Sequence, residues 1–112
     1  DGFLESKREL FQRYRSAFAN VPRINVVAEP TGCRSNYWLQ TLMLDKSIAN
    51  QKDAILAETN DAGLMTRPVW MPMHRLRPYL GCPKMRLPVV ESLEQRLINL
   101  PSSAQLKIGG VL

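Results

Sequence analysis

A chain of 112 residues has room for one small domain and a modest core. With 45% hydrophobic and 22% charged residues it has globular composition, which excludes a disordered chain. A net charge of +5 suits an anionic ligand or an acidic partner. The basic residues are scattered, however, and no aromatic-rich RNA-binding signature accompanies them, so nucleic acid is not the expected partner.

The first element is a helix over 3–18. Phe3, Lys7, Leu10, Phe11, Tyr14 and Phe18 recur at spacings of three and four, and Asn20 and Pro22 end it. Its apolar residues exceed one core-facing stripe, which predicts an exposed patch and self-association through this helix. Ile24 to Ala28 is a short β-branched strand closed by the turn sequence Glu29-Pro30-Thr31-Gly32. Ser35 to Leu44 reads as a second strand, apolar on both faces and therefore central and covered on both sides. Asn50 and Asp53 look like a capping box for a helix that runs to about Asn60, with Gly63 in the left-handed conformation behind it. A third strand follows over 64–70, and Pro68 makes it an edge strand or a bulge. A Pro-rich loop reaches about Leu87. Pro88 then opens a last helix with Val89, Val90, Leu93, Leu97 and Leu100 on its stripe, ended by Pro101. Residues 102–112 read as a tail.

This order predicts an α+β layer structure (an α/β sandwich), with about three mostly antiparallel strands packed with about three helices. Residues 1–22 form a connecting helix, 23–101 the small domain and 102–112 the tail. Cys33 and Cys82 lie apart in turn sequences, which fits free thiols in a reducing, cytoplasmic compartment rather than a disulfide or zinc site. No apolar run approaches the length of a membrane span, and no signal peptide is present, so no membrane is expected.

Self-contained catalysis finds little support in the residues. The chain has one His, His74, and none of its Lys residues has the apolar surroundings that Schiff-base chemistry needs. Chemistry concentrates instead in Thr66 to Tyr79, TRPVWMPMHRLRPY. Here Pro68, Pro72 and Pro78 stiffen the backbone that carries Arg67, Arg75, Arg77, His74, Trp70 and Tyr79. Guanidinium forks match phosphate or carboxylate, and the aromatic rings offer stacking faces. Taken alone, this stretch fits a stand-alone binding or interaction module whose basic Pro/Arg/Trp loop takes an anionic partner.

Four stretches together point further: SNYWLQTLML at 35–44, QKDAILAETNDAGLMTRPVW at 51–70, PMHRLRPY at 72–79 and LPVVESLEQRLINLPSSAQL at 87–106. They resemble the C-terminal small domain of the DegT/DnrJ/StrS family of pyridoxal-phosphate-dependent sugar aminotransferases of fold type I. The Arg-Pro-Val-Trp segment is similar to members that act on UDP-linked 4-keto sugars on the way to bacillosamine or legionaminic acid. The resemblance implies amino transfer from glutamate to a nucleotide-linked keto sugar, in a homodimer. It also implies a missing large domain that carries pyridoxal phosphate and its lysine, so this chain binds no cofactor alone and is inactive alone. No catalytic residue or metal ligand is then expected in it, and a start at Asp1 within a helix fits a fragment of something longer. By position in these motifs, Asn36, Tyr37, Arg67, Trp70 and His74 are the candidates for lining the substrate side.

Overall fold

The computed structural model describes residues 2–104. Helix α1 (Gly2–Phe18) leads into strand β1 (Ile24–Val26), then β2 (Gln40–Leu44). A 3₁₀ segment (Lys46–Gln51) runs into helix α2 (Lys52–Asp61), followed by the two-residue strand β3 (Arg67–Pro68). Two 3₁₀ turns (Met73–Arg75 and Arg77–Tyr79) precede helix α3 (Pro88–Glu94) and strand β4 (Leu97–Leu100). The strands form one antiparallel sheet in the order β1-β2-β4-β3. The fold is α+β, as the sequence predicts, with four strands rather than three.

The fourth strand corrects the expected last helix. Leu93, Leu97 and Leu100 do share a helical spacing, but α3 ends at Glu94 and Leu97–Leu100 pairs with both β2 and β3. Ile98, which the helical stripe left out, is fully buried. Arg96 fixes the change of direction. Its Nε donates to Ser92 O in the last turn of α3, its Nη1 donates to Leu44 O, and its own carbonyl accepts from Leu44 N at 2.9 Å. Without β4 the two halves of the sheet would not touch, so burying Leu97–Leu100 between β2 and β3 overrides the local helical pattern.

Strand β2 is central, but shorter than expected and covered on one face only. The apolar core lies on the face of Leu42, Leu44 and Ile98, where Ile48, Phe18, Ile55 and Leu56 pack from the helical side. Lys52 pins the start of α2 to the end of α3, its Nζ donating to Glu94 O at 2.5 Å. The opposite face presents Thr41, Met43, Leu97 and Asn99 to a groove of about 530 Å³ that Leu93, Val69 and Trp70 help line. Thr41 Oγ1 donates to Asn99 Oδ1 across the strands at 3.0 Å, which satisfies the one polar pair on that face.

Two caps differ in outcome. The turn after α2 has the expected Gly63 at φ +81, with Leu64 N donating to Thr59 O and Gly63 N to Asn60 O. These two bonds make a Schellman closure, which needs a residue free of a Cβ penalty. The start of the helical region, by contrast, is capped not by Asn50 but by Asp45, whose carboxylate accepts from Ser47 N and Ser47 Oγ. The helical turn begins five residues earlier than expected because 3₁₀ geometry carries the chain from β2 directly into α2. Those two Ser47 bonds hold the Asp45 carboxyl below its ordinary range.

Helix α1 buries the middle of its apolar stripe and leaves Phe3, at its start, exposed. Leu10, Phe11 and Tyr14 are buried within the chain, and Tyr14 donates its hydroxyl to Pro101 O at 2.8 Å. Burial raises the Tyr14 hydroxyl above its usual titration range. The exposed large apolar residues gather instead along 64–90, among them Met65, Trp70, Met71, Met73, Met85 and Val89. Lys7 Nζ reaches back to the carbonyl of Ser102, and the predicted tail beyond residue 104 lies outside the described residues.

Candidate functional site

Arg67 sits in β3 at the sheet edge, opposite Asn99 in the register. Pro68 is tolerated there because an edge strand has a side on which no ladder donor is required. The guanidinium is held from α2: Nη1 donates to Asn60 Oδ1 at 2.9 Å and to Thr66 O at 3.0 Å. Asn60 is itself fixed, since its Nδ2 donates to Leu56 O, Thr66 O and Thr66 Oγ1. The buried Thr66 hydroxyl also bonds Thr59 Oγ1 at 2.6 Å. The polar end of α2 is thus a clamp that aims an exposed arginine.

The Pro-rich loop is tied to α3 by charge. Arg75 Nη1 donates to Glu94 Oε2 at 2.5 Å, and Arg75 Nη2 lies 3.9 Å from Glu91 Oε1. The imidazole Nε2 of His74 lies 3.4 Å from Glu91 Oε1, outside hydrogen-bond geometry. His74 borders a cleft of about 450 Å³ with Lys84, Met85 and Arg86, so the loop is stiffened by ion pairs as well as by its prolines.

The segment before β2 is not a strand but a polar knot. Glu29 accepts from Arg8 Nη2 at 2.6 Å and from Ser35 N at 2.5 Å, while Arg8 Nη1 donates to Ser35 O at 2.7 Å. The bond from Arg8, then that from Ser35, lowers the Glu29 carboxyl, and Glu29 in turn raises the Arg8 guanidinium. Ser35 Oγ accepts from Tyr37 N, and Asn36 Oδ1 accepts from Trp38 N. Tyr37 has φ +45, a left-handed conformation that costs a bulky residue about 1–2 kcal/mol. That cost is offset by burial: its ring stacks on Phe11 at 4.1 Å, lies under the Arg8 guanidinium, and its hydroxyl accepts from Glu29 N.

The five candidate residues therefore fall into different settings. Arg67 and Trp70 lie on exposed surface three residues apart, Asn36 caps a turn, Tyr37 is buried beneath that turn, and His74 faces α3. Trp38, Asn60, Arg8 and Glu29 were missed. Trp38 is the partner of Trp70, with ring centroids 6.0 Å apart. Its one sequence signal is that the chain holds only two tryptophans. A Schiff-base lysine finds no place among the described residues. Lys7 and Lys52 are spent on backbone carbonyls, and neither Lys46 nor Lys84 is buried. Among the described residues no cluster of His, Cys, Asp or Glu has a metal-holding arrangement, and no helix is long and apolar enough to cross a membrane.

The profile of the DegT/DnrJ/EryC1/StrS aminotransferase family matches residues 1–111. The chain belongs to that family. A GDP-perosamine synthase of Vibrio cholerae is 31% identical over 103 residues, covering 91% of this chain and 28% of that protein. The chain thus spans little more than a quarter of the length of this curated relative. Among solved structures, DesI in the presence of its TDP-sugar product superposes with a TM-score of 0.81 at 25% identity, over 92% of this chain and 27% of DesI. Helicobacter pylori PseC, an aminotransferase of pseudaminic acid biosynthesis, superposes at 0.83 over 94% of this chain and 29% of its own length, with 18% identity, which speaks for the fold alone. The family assignment agrees with the sequence resemblance. The UDP-linked subgroup does not stand out, because the curated relatives are named for a GDP sugar.

Proposed function

We propose that the protein containing this chain transfers an amino group from glutamate to a nucleotide-linked keto sugar, and that this chain supplies part of the sugar-nucleotide side. The observation that carries the reading is the family match across residues 1–111. The clamped and exposed Arg67 supports the assignment of side, because a charge-bearing fork suits the diphosphate that glutamate lacks. Members of the family use pyridoxal phosphate, which supplies the electron sink for amino transfer. The described residues do not fit that group, so its lysine and its pyridine partner belong to the rest of the protein. This chain's part is to bind and orient, and alone it is inactive.

Within this reading, Arg67 contacts the diphosphate, Trp70 and Asn36 border the substrate, and His74 holds the loop beside it. Tyr37 acts from beneath by fixing the turn. The full protein works as a cytoplasmic homodimer. The sugar carrier is UDP by the Arg-Pro-Val-Trp segment or GDP by the named relatives, and one experiment separates these. Purified full-length protein with pyridoxal phosphate and glutamate is offered UDP- and GDP-linked 4-keto sugars. An aminated sugar nucleotide formed with an equal amount of 2-oxoglutarate is expected from one of them. Glutamate consumption with no aminated sugar from either would overturn the proposal.

A further inference from the structure

Trp38 and Trp70 come from segments far apart in the chain, yet their rings stand 6.0 Å apart at 46°. The tilt means that neither ring covers the other's face. They are 63% and 72% exposed, which is unusual for the largest apolar side chains in a domain with so small a core. The backbone under Trp38 is nevertheless pinned at both ends: Asn36 Oδ1 accepts its N–H at 3.0 Å, and Lys7 Nζ donates to its carbonyl at 3.1 Å. Such pinning fixes the backbone from which the ring projects and so lowers the ordering cost at binding. Trp70 also borders the apolar groove over the open sheet face, beside Leu39, Met43, Val69 and Leu93. Three residues upstream, Arg67 has its Nη1 tied to Asn60 and Thr66 and stays exposed.

We infer that Trp38 and Trp70 form an aromatic ledge that stacks the base of a nucleoside diphosphate, with Arg67 taking the diphosphate. The inference rests on the proposed nucleotide-sugar substrate and adds Trp38 to the residues that bind it. Charge complementarity selects this occupant. A purely apolar protein surface would cover the ledge but leave the exposed arginine fork three residues upstream of Trp70 unmatched, whereas a nucleotide presents a planar π-face and an anion together. The ledge makes no hydrogen bond to base edges, so it is tolerant of base identity. It sets affinity for the nucleotide carrier rather than for the sugar.

The test uses full-length protein and isothermal titration with GDP, UDP and inorganic pyrophosphate, without glutamate, so that binding is read apart from amino transfer. Trp38→Ala and Trp70→Ala are each expected to weaken the nucleoside diphosphates by about tenfold while leaving pyrophosphate within about twofold, as loss of one stacking face does. Trp38→Phe should recover most of the loss. Melting curves run in parallel. A Trp38→Ala protein that binds GDP and UDP within about twofold of the parent, or that loses pyrophosphate equally, overturns the inference. So does a parent protein that binds no nucleoside diphosphate, and so does a lowered melting temperature with affinity unchanged, which would mean that the ledge packs against the rest of the protein. The outcomes also part the two readings. Binding with the expected losses but no sugar amination removes the aminotransferase reading and keeps the ledge. Amination with no effect of Trp38→Ala does the reverse.

Discussion

At the scale of single residues, Arg67 shows how the chain spends side chains to aim one another. Asn60→Ala would leave its Nη1 held by the Thr66 carbonyl alone and that carbonyl with one donor fewer. It should lower nucleotide-sugar efficiency several-fold with little change in melting temperature, because Asn60 is exposed. Steady-state kinetics beside a thermal melt read this. Glu29 gives a pH prediction. Its folded carboxyl is held low by Arg8 and then Ser35, so its contribution is present above the unfolded carboxyl's range and is lost as pH falls through the folded value. The protection of the Ser35 amide, its exchange measured against the intrinsic rate at each pH, should therefore fall at acid pH before the core opens. In Glu29→Gln this step should vanish, leaving a loop that is loose at every pH. An acid step that persists in Glu29→Gln would assign the loosening elsewhere. None of this was legible in sequence: Arg8 and Glu29 are separated by a helix end and a strand, and the left-handed Tyr37 gives no pattern of its own.

At the scale of elements, what could be read followed local pattern, and what could not depended on distant partners. Helix α1, the Gly63 turn and the edge placement of Pro68 each carry their reason within a few residues. Strand β4 does not. Leu93, Leu97 and Leu100 are a fair helical stripe, and only the vacancy between β2 and β3 makes 97–100 extended. Likewise 35–39 alternates like a strand, but the Ser35 and Asn36 side chains take up backbone donors that a ladder would need. Ile98→Ala removes a fully buried side chain from the sheet centre and should cost about 2–5 kcal/mol, read by denaturant unfolding. Val89→Ala on the exposed side of α3 should cost well under 1 kcal/mol by the same measurement. Equal losses would contradict the placement of 97–100 as a central strand.

For the molecule as a whole, one face of the sheet is closed by helices, while the other carries a groove that Trp70 borders. The family was legible from four motifs, whereas the face was not, since it arises from the side of the sheet that 41, 43, 97 and 99 share. The exposed apolar residues along 64–90 predict that the isolated chain binds a hydrophobic dye strongly and self-associates through that face rather than through α1. Sedimentation should then show Trp70→Ser reducing association and Phe3→Ser not. The central claim is that this chain serves the sugar-nucleotide half of an amino transfer. Single-turnover kinetics of full-length Arg67→Ala test it most directly. Loss of a charge-assisted contact should slow the half-reaction with keto sugar about 30- to 150-fold and leave the half-reaction with glutamate unchanged. Equal losses in both half-reactions, or none in either, would contradict it.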